Sequence, residues 1–258
     1  MHDAASPRDL AIEFRDVAYR LDNGRELLHN LDLQVERGET LVLLGRSGSG
    51  KTTTLKLINR LLEASEGDVL VEGQPVRSWD VIRLRRKIGY VIQEIGLFPH
   101  FTIERNIGLV PQIDNWPPER VHKRVRELLK IVGLDSDLAA RYPRELSGGQ
   151  RQRVGVARAL AADPPILLMD EPFGALDPIT RAELQREFLN LQQRLQKTVV
   201  FVTHDLREAL LLGNRIALME TGRLMALLTP EEFVHSSEPI VTAYLEAFGT
   251  DLQVRRSH

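Results

Sequence analysis

Short runs of apolar residues recur along the chain, and most are rich in residues that favour β-strands. They lie at 11–14, 41–44, 68–71, 88–92, 166–169, 199–203 and 215–219. Several are apolar throughout, which is typical of strands buried on both faces of a parallel sheet, with helices between them. Segment 31–35 alternates instead, as an antiparallel sheet with one face in water does. The pattern predicts an α/β core with a β-rich subdomain beside it.

Strand signals disappear between about 94 and 165, and helical periodicity takes their place. Within 119–132 the apolar residues recur at helical spacing: Val121, Val125, Leu128, Leu129 and Val132. We expect one domain at 10–235, with a helical subdomain inserted at about 94–165. A short tail at 236–258 follows, with a helix at 239–248. Turns are expected at Asn23-Gly24, Gly38, Glu66-Gly67 and Thr221-Gly222.

Composition removes several classes of function. The 258 residues are 43% hydrophobic and carry 34 basic against 36 acidic side chains, a net charge of −2. Nothing in this balance attracts nucleic acid or anionic lipid in general. The basic residues of 119–132 could form a patch for a polyanion, but the interleaved Glu119 and Glu127 favour a solvated helix face. There is no cysteine, so disulfides and thiolate chemistry are excluded. The start is polar and the longest apolar runs are strand-sized, so we expect no signal peptide and no membrane span.

Residues 45–52 fit the pattern G-x-x-x-x-G-K-[ST] between the apolar run at 41–44 and a helix-like stretch at 53–62. A simple Gly/Ser turn would not need this context, which favours a phosphate-binding loop. Backbone N–H groups and the helix N-terminus would face the phosphates, Lys51 would add a full charge, and the Thr52 hydroxyl would bind Mg²⁺. The predicted nucleotide ligands are Gly45, Arg46, Ser47, Gly48, Ser49, Gly50, Lys51, Thr52 and Thr53.

A second Ser/Gly-rich turn opens a second helix. Ser147, Gly148, Gly149 and Gln150 precede a run of good helix formers at 151–162. We expect Ser147 to cap this helix and the two glycines to adopt conformations that other residues avoid, which would leave N–H groups facing an anion. Taken alone, this pattern is an ordinary N-cap.

Two further polar groups follow apolar strands. Asp170 and Glu171 end the run at 166–169, and His204 follows the run at 199–203. Open α/β sheets bind ligands at the carboxyl ends of their strands. Asp170 is placed to hold Mg²⁺, Glu171 to accept a proton from the water that attacks the γ-phosphate, and His204 to contact that phosphate. A lone histidine is more often a structural residue, so His204 depends on its location for this role.

In order and spacing, these motifs resemble those of the ATP-binding cassette (ABC) ATPases over about 12–230. The resemblance identifies 45–52 as the Walker A loop, Gln93 as the Q-loop residue, Leu146 to Gln150 as the signature and Asp170-Glu171 as Walker B with its catalytic glutamate. It makes Gly174-Ala175-Leu176-Asp177 the D-loop and His204 the switch histidine. It implies a P-loop NTPase with a RecA-like core, an antiparallel β-subdomain and an inserted helical subdomain.

The resemblance also implies a function and partners. Such ATPases bind ATP and Mg²⁺ and dimerise head to tail, as homodimers or with a paralogous ATPase, so the signature of one chain covers ATP on the P-loop of the other. Thr52, Gln93 and Asp170 would serve the Mg²⁺, and Glu171, Gln93 and His204 the catalysis. The chain would lie peripherally on the cytoplasmic face of the cell (inner) membrane, on integral permease subunits fed indirectly by a substrate-binding protein, without nucleic acid.

One position departs from the family. Many members carry an aromatic residue that stacks on adenine, and here Leu21 stands in its place with Tyr19 two residues away. We therefore expect weak selectivity for the base.

Segments 57–63 and 88–102, Leu109 to Pro111 and Trp116 are similar to the importers of glycine betaine, choline, carnitine and related osmoprotectants. Many of these carry C-terminal CBS regulatory domains, which we do not expect here. Leu97, Phe98 and Phe101 would either anchor a helix of the membrane subunit or pack the helical subdomain. An ABC ATPase for another solute, such as an amino acid or a lipid, and a non-transport ABC ATPase are the alternatives.

Overall fold

The structure, a computed structural model, describes residues 9–93, 96–174 and 176–248, without the side chain of Phe248. The chain divides into two compact units. The first comprises the described parts of Met1–Ser78 and Val200–His258, and the second those of Trp79–Val199. No helix in these described ranges is long and apolar enough to cross a membrane.

The strands follow the apolar runs of the sequence. They are β1 (Leu10–Arg20), β2 (Glu26–Glu36), β3 (Thr40–Leu44), β4 (Glu66–Val71), β5 (Gln74–Pro75), β6 (Ile88–Val91), β7 (Ile166–Asp170), β8 (Thr198–Thr203), β9 (Arg215–Glu220) and β10 (Arg223–Leu228). Each predicted run coincides with a strand, and β5 and β10 are strands that the sequence analysis did not predict.

The helices occupy the intervals between the strands. They are α1 (Lys51–Ile58), α2 (Val81–Arg86), α3 (Ile103–Ile113), α4 (Pro118–Ile131), α5 (Gly148–Leu160), α6 (Pro178–Leu195), α7 (Leu206–Leu212), α8 (Pro230–His235) and α9 (Pro239–Phe248). The helices expected at 119–132 and 239–248 are confirmed as α4 and α9. No strand lies within the described residues from 96 to 165.

The first unit contains an antiparallel sheet in the order β2-β1-β4-β5. Its strand β4 corrects one predicted turn, since Glu66 and Gly67 are its first residues. Gly67 has φ +74, and a Cβ there would lie 2.2 Å from the Asp16 carbonyl oxygen. Only glycine fits both this positive φ and the close approach to an irregular part of β1. The glycine that predicts a turn from the sequence therefore lies where two backbone segments pass close to each other.

A second group of strands in this unit has the order β10-β9-β3-β8. Every residue of β3 is buried, and β3 runs parallel to β9 with Leu44 opposite Leu218. Strand β10 returns antiparallel along β9 through the predicted turn at Thr221 and Gly222. Continuous burial explains why β3 reads as an uninterrupted apolar run. The burial of β3 also fixes the position of its last residue, from which the loop at 45–50 begins.

A partly buried ion pair joins distant parts of this unit. Arg215 Nε lies 2.6 Å from Glu39 Oε1, and Arg215 Nη2 lies 2.7 Å from Glu39 Oε2. Glu39 is 8% exposed, and its Oε2 also accepts a hydrogen bond from the Glu36 N–H. The guanidinium donates in addition to the Gln34 carbonyl. This bidentate geometry satisfies a carboxylate that would otherwise be costly to bury.

The second unit pairs β6 with β7 in parallel, with Tyr90 opposite Leu168. Helix α4 buries its apolar stripe as predicted, and His122, Lys123, Arg126 and Lys130 are exposed. Arg124 differs, because it donates to the carbonyls of Leu160 and Ala161 at the end of α5. The basic residues are therefore a solvated helix face, with one member used to cap another helix.

Asn106 holds the segment before α3 in place, a role that the sequence did not indicate. It is fully buried, its Nδ2 donates to the carbonyls of Phe98, Phe101 and Thr102, and its Oδ1 accepts from the Phe98 N–H. Phe98 remains 40% exposed, and its ring contacts that of Phe101. The segment could therefore either contact a helix of a membrane subunit or pack the helical subdomain, as the sequence analysis proposed.

We predict that Arg215→Ala lowers the free energy of unfolding by about 2–4 kcal/mol, because it leaves the Glu39 carboxylate buried without its cation. Denaturant unfolding measures the loss. Arg15→Ala is the control, since it breaks the exposed pair with Glu13 and should cost less than about 1 kcal/mol. Equal losses in the two variants would contradict the assignment.

Candidate functional site

The glycine-rich loop lies between the end of β3 and the start of α1. Gly48 and Gly50 have φ +80 and +100, so both use backbone conformations that other residues rarely adopt. Lys51 is 5% exposed, and its Nζ donates to the carbonyls of Gly45 at 2.7 Å and Arg46 at 2.9 Å. The Lys51 side chain thus folds back onto the carbonyls of its own loop. Phosphate oxygens in this loop could accept the same hydrogen bonds in place of the two carbonyls.

The residues of the loop fit a phosphate. A Cβ at Gly45 would lie 2.6 Å from Ser49 Oγ, and one at Gly50 would lie 2.6 Å from Leu28 Cδ2, whereas Gly48 faces open space. Ser49 Oγ is buried without a hydrogen-bond partner among the described residues. A buried, unpaired hydroxyl in a positive backbone cradle is a group that an anion would satisfy.

Gly222, which the sequence marked only as a turn, braces this loop. Its N–H donates to the Ser49 carbonyl at 3.2 Å, and its carbonyl accepts from the His29 N–H at 2.9 Å. Its φ is +78, and a Cβ would lie 2.4 Å from the Leu27 carbonyl oxygen. The β9–β10 turn is therefore part of the structure that shapes the phosphate loop.

His204 follows β8 in the same unit and is exposed. The residues around it fix its backbone. Thr203 Oγ1 donates to Glu208 at 2.6 Å and accepts from the Asp205 N–H at 3.0 Å, while Asp205 caps α7 through the Arg207 N–H. This arrangement presents the imidazole from an ordered strand end, as its predicted role requires.

In the second unit, β7 ends in Asp170, and Glu171 follows it directly. Asp170 is 4% exposed, and Tyr90 on the neighbouring strand hydrogen-bonds to it. Burial, and secondly the Asp170 charge, raise the pKa of the Tyr90 hydroxyl, which therefore stays protonated and donates. Gln93 Nε2 lies 3.4 Å from Glu171 Oε2, so two of the predicted residues of this unit are in contact, and Asp170 directly precedes Glu171 in the chain.

Glu171 has φ +44, in the left-handed region that side chains rarely occupy. Such backbone strain is found where a side chain must be held in one particular place. Its carboxylate lies beside Gln93 at the point where the chain leaves β7.

The signature segment opens α5 with a complete capping box. Ser147 Oγ accepts from the Gln150 N–H at 3.2 Å, and Gln150 Oε1 accepts from the Ser147 N–H at 2.9 Å. The predicted cap is thus confirmed, but the predicted special backbone of Gly148 and Gly149 is wrong, since both are helical with φ outside the positive range. Gly149 is instead required for space, because a Cβ would lie 2.6 Å from Thr180 Cγ2.

Of the predicted D-loop, Ala175 lies outside the described residues. Asp177 caps α6 by accepting from the N–H groups of Ile179 and Thr180, both at 3.1 Å. A hydrogen bond from the Thr180 side chain has the largest effect, and together with these backbone hydrogen bonds it holds the pKa of the Asp177 carboxyl below its ordinary value. It remains ionised as a helix cap at neutral pH.

Tyr19 lies near the end of β1, and Leu21 is the first residue after it. Leu21 is 36% exposed, and its backbone closes the turn through hydrogen bonds with Gly24 and Arg25. Tyr19 is partly buried and opposite Leu28 in the sheet. Leu21 thus presents an exposed aliphatic side chain and no ring for an adenine base to stack on.

Among the described residues, no group of three or more acidic or histidine side chains is placed to hold a metal ion. The predicted donors, Thr52, Gln93 and Asp170, are all oxygen ligands. Mg²⁺ typically keeps waters and phosphate oxygens and takes only one or two protein ligands, so this donor chemistry fits it.

The chain is similar to proteins of known role. It is 51% identical over 225 residues to the glycine betaine/carnitine/choline transport ATP-binding protein OpuCA of Bacillus subtilis, covering 87% of this chain and 59% of that protein. It is 51% identical over 214 residues to the glycine betaine uptake system ATP-binding protein YehX of Escherichia coli, covering 83% and 69%. The chain therefore spans about three-fifths of the length of the first of these relatives.

A solved structure shares the fold. The ATP-binding cassette MJ0796, a dimer in a post-hydrolysis state with ADP and Pi, has a TM-score of 0.75 and 35% identity and covers 85% of this chain and 98% of that one. The fold is accordingly the α/β fold of the P-loop ABC ATPases. Residues 28–174 match the family described as ABC transporter. This match includes the glycine-rich loop, the capped signature helix and the two carboxylates, and the chain belongs to the ABC transporter family.

Proposed function

We propose that the chain is the ATP-hydrolysing subunit of an ABC importer. It would energise uptake of an osmoprotectant or quaternary amine such as glycine betaine through separate membrane subunits. The observation that carries the hydrolytic role is the cluster of Glu171 beside Gln93 and next to the buried Asp170. The importer role is supported by the names of the relatives.

Phosphate binding is assigned to the glycine-rich loop. Backbone N–H groups of 45–52 and the positive end of α1 would surround the phosphates, and Lys51 would turn from the carbonyls of Gly45 and Arg46 towards them. A bound phosphate would accept a hydrogen bond from the buried Ser49 hydroxyl, which would remove the free-energy cost of leaving that group without a partner. Arg46, Ser47, Thr52 and Thr53 complete the proposed set.

Mg²⁺, when bound, would neutralise charge on the β- and γ-phosphates. Thr52 and Asp170 would hold it, with Gln93 as a further oxygen ligand. Tyr90 would help to orient the Asp170 carboxylate, because its hydroxyl donates a hydrogen bond to that group.

Glu171 is the proposed general base. Its carboxylate would orient the attacking water and accept its proton, and Gln93 would hold that water from the other side. His204 would donate to the γ-phosphate from the end of β8. These assignments follow from residue chemistry and from the order of the family's motifs.

Two copies would form two complete sites. We propose that Ser147, Gly148, Gly149 and Gln150 of one chain cover the phosphates held by the loop of the other. The capping box supports this, because it fixes the start of α5 with its helix N-terminus intact for an anion. The solved cassette with the same fold is described as dimeric.

Integral permease subunits would bind the closed and open dimers differently and so convert the cycle into transport. The chain would lie on the cytoplasmic face of the membrane, and a substrate-binding protein would deliver the solute to the permease. Phe98 and Phe101 would contact a membrane-subunit helix, which their partial exposure permits.

The quaternary amine is favoured over another solute because two relatives, each identical to this chain at 51% of the aligned residues, are named for transport of glycine betaine, one of them also of carnitine and choline. An ABC ATPase for an amino acid or a lipid, or a non-transport ABC ATPase, would keep the same catalytic groups. The alternatives differ only in their partners.

We predict that Glu171→Gln reduces ATP hydrolysis by at least about 100-fold, since it removes the general base. The variant should still bind Mg-ATP and should accumulate as a dimer in size-exclusion chromatography. Glu183→Gln, which removes the same charge from an exposed position of α6, should behave as the unmodified protein. A monomeric Glu171→Gln variant with normal turnover would contradict both the base and the shared site.

The solute is tested through the membrane partner. The tagged chain is purified from its native membranes in mild detergent, and the complex is placed in vesicles for uptake of labelled glycine betaine. We expect a co-purifying permease and ATP-dependent uptake that choline or carnitine reduces. Competition only by an amino acid or a lipid would identify another importer. Failure to retain any membrane protein, with ATPase activity stimulated by nucleic acid, would indicate the non-transport alternative.

A further inference from the structure

The peptide bond that joins Ser49 to Gly50 lies in the last part of the glycine-rich loop, directly before α1. This bond is trans, so its carbonyl and its N–H point in opposite directions. Gly50 has φ +100, and a glycine adopts either sign of φ about equally readily. The local sequence of the loop therefore does not determine which way the Gly50 N–H points.

A hydrogen bond from outside the loop orients this peptide. The Gly222 N–H, in the turn between β9 and β10, donates to the Ser49 carbonyl at 3.2 Å. Because that carbonyl points towards the turn, the Gly50 N–H points away from it. The Gly50 carbonyl, in the next peptide, accepts from the Thr54 N–H at 2.9 Å and from Thr54 Oγ1 at 3.0 Å. Both peptides of Gly50 are thus held, the first of them by a residue distant in the chain.

The β9–β10 turn is itself held by β2. The Gly222 carbonyl accepts from the His29 N–H at 2.9 Å, and a Cβ on Gly222 would lie 2.4 Å from the Leu27 carbonyl oxygen. Gly50 also meets this strand, because a Cβ there would lie 2.6 Å from Leu28 Cδ2 and 3.5 Å from the Gly222 Cα. Strand β2, the turn and the loop are therefore packed too closely for the turn to shift without moving the loop.

We infer that Gly222 is a positioning residue for ATP binding, whose N–H sets the orientation of the Ser49–Gly50 peptide and so directs the Gly50 N–H at a phosphate of the nucleotide. This inference rests on the proposed function, in which the N–H groups of 45–52 surround the phosphates. Gly222 acts through the loop and not by contact with ATP. The affinity for nucleotide then depends on a turn that the phosphate-loop motif does not include.

A purely structural role for Gly222 makes a different prediction. A turn that only supports the fold would, when damaged, reduce the fraction of folded protein, which lowers kcat and leaves the KM for Mg-ATP unchanged. Loss of a hydrogen bond that is made equally to bound ATP and to the transition state raises KM and leaves kcat unchanged. The two kinetic constants therefore separate the two roles.

The test compares Gly222→Ala with Gly73→Ala in the full chain. Gly73 is the matched control, because it lies between β4 and β5 with φ +73, but a Cβ there would meet nothing within 4 Å. Both variants strain a positive φ, and only Gly222→Ala also displaces the turn from the loop. Misdirecting one donor to a charged phosphate should raise the KM of Gly222→Ala roughly 10- to 100-fold. Its kcat should change by less than about 3-fold, and Gly73→Ala should keep both constants.

A second variant removes the donor without adding a side chain. In vitro translation with glycolic acid at position 222 replaces the amide between 221 and 222 by an ester, which has no N–H and keeps the shape of glycine. The ester should raise KM as Gly222→Ala does, even if Gly222→Ala does not fold. An unchanged KM in the ester variant, or an equal rise of KM in Gly73→Ala, would overturn the inference. If the unmodified chain bound no Mg-ATP, the proposed function itself would fail.

Discussion

The close approach of backbone segments around the glycine-rich loop is the constraint on which the site depends. Gly45 lies against the Met219 carbonyl oxygen, Gly50 against Leu28, and Gly222 against the Leu27 carbonyl oxygen, at distances that leave no room for a side chain. Strands β2, β9 and β3 must therefore be in place before the loop has its shape. Once it does, the loop's donors are fixed in advance of any phosphate, so binding does not have to organise them. The burial of β3 along its whole length serves this purpose as much as it serves stability.

The charged and polar groups of the second unit also have protein partners before any ligand binds. A buried carboxylate such as Asp170 is tolerated only when a partner offsets its desolvation, and Tyr90 supplies one donor from the neighbouring strand. Glu171 keeps an unusual backbone angle and a contact with Gln93. The signature helix has a self-contained cap, so its N-terminus does not depend on a ligand. Each element is ordered before the chemistry begins, which is how electrostatic catalysis avoids reorganisation at the moment of reaction.

Local patterns were sufficient to predict most strands, the cap at Ser147 and the loop at 45–52, because neighbouring residues determine them. Most of the features that sequence reasoning missed depend on residues distant in the chain. Gly67 was predicted to lie in a turn, but it lies where the backbone passes close to Asp16. Gly149 was predicted to adopt an unusual backbone conformation, but its role is to leave space beside Thr180, where a Cβ would clash. Asn106 and Gly222 act through carbonyls that no local pattern indicates.

We propose that the chain carries two phosphate-binding elements, the glycine-rich loop and the signature segment, and that they act on the same ATP from different copies. The most direct measurement is complementation between two inactive variants, Lys51→Ala and Ser147→Arg, each purified and then mixed. In a head-to-tail dimer, a mixed pair contains one site with an intact loop from one chain and an intact signature from the other. ATP hydrolysis should therefore be lost in each variant alone and return on mixing. Full activity of Ser147→Arg alone, or no recovery in the mixture, would contradict the account.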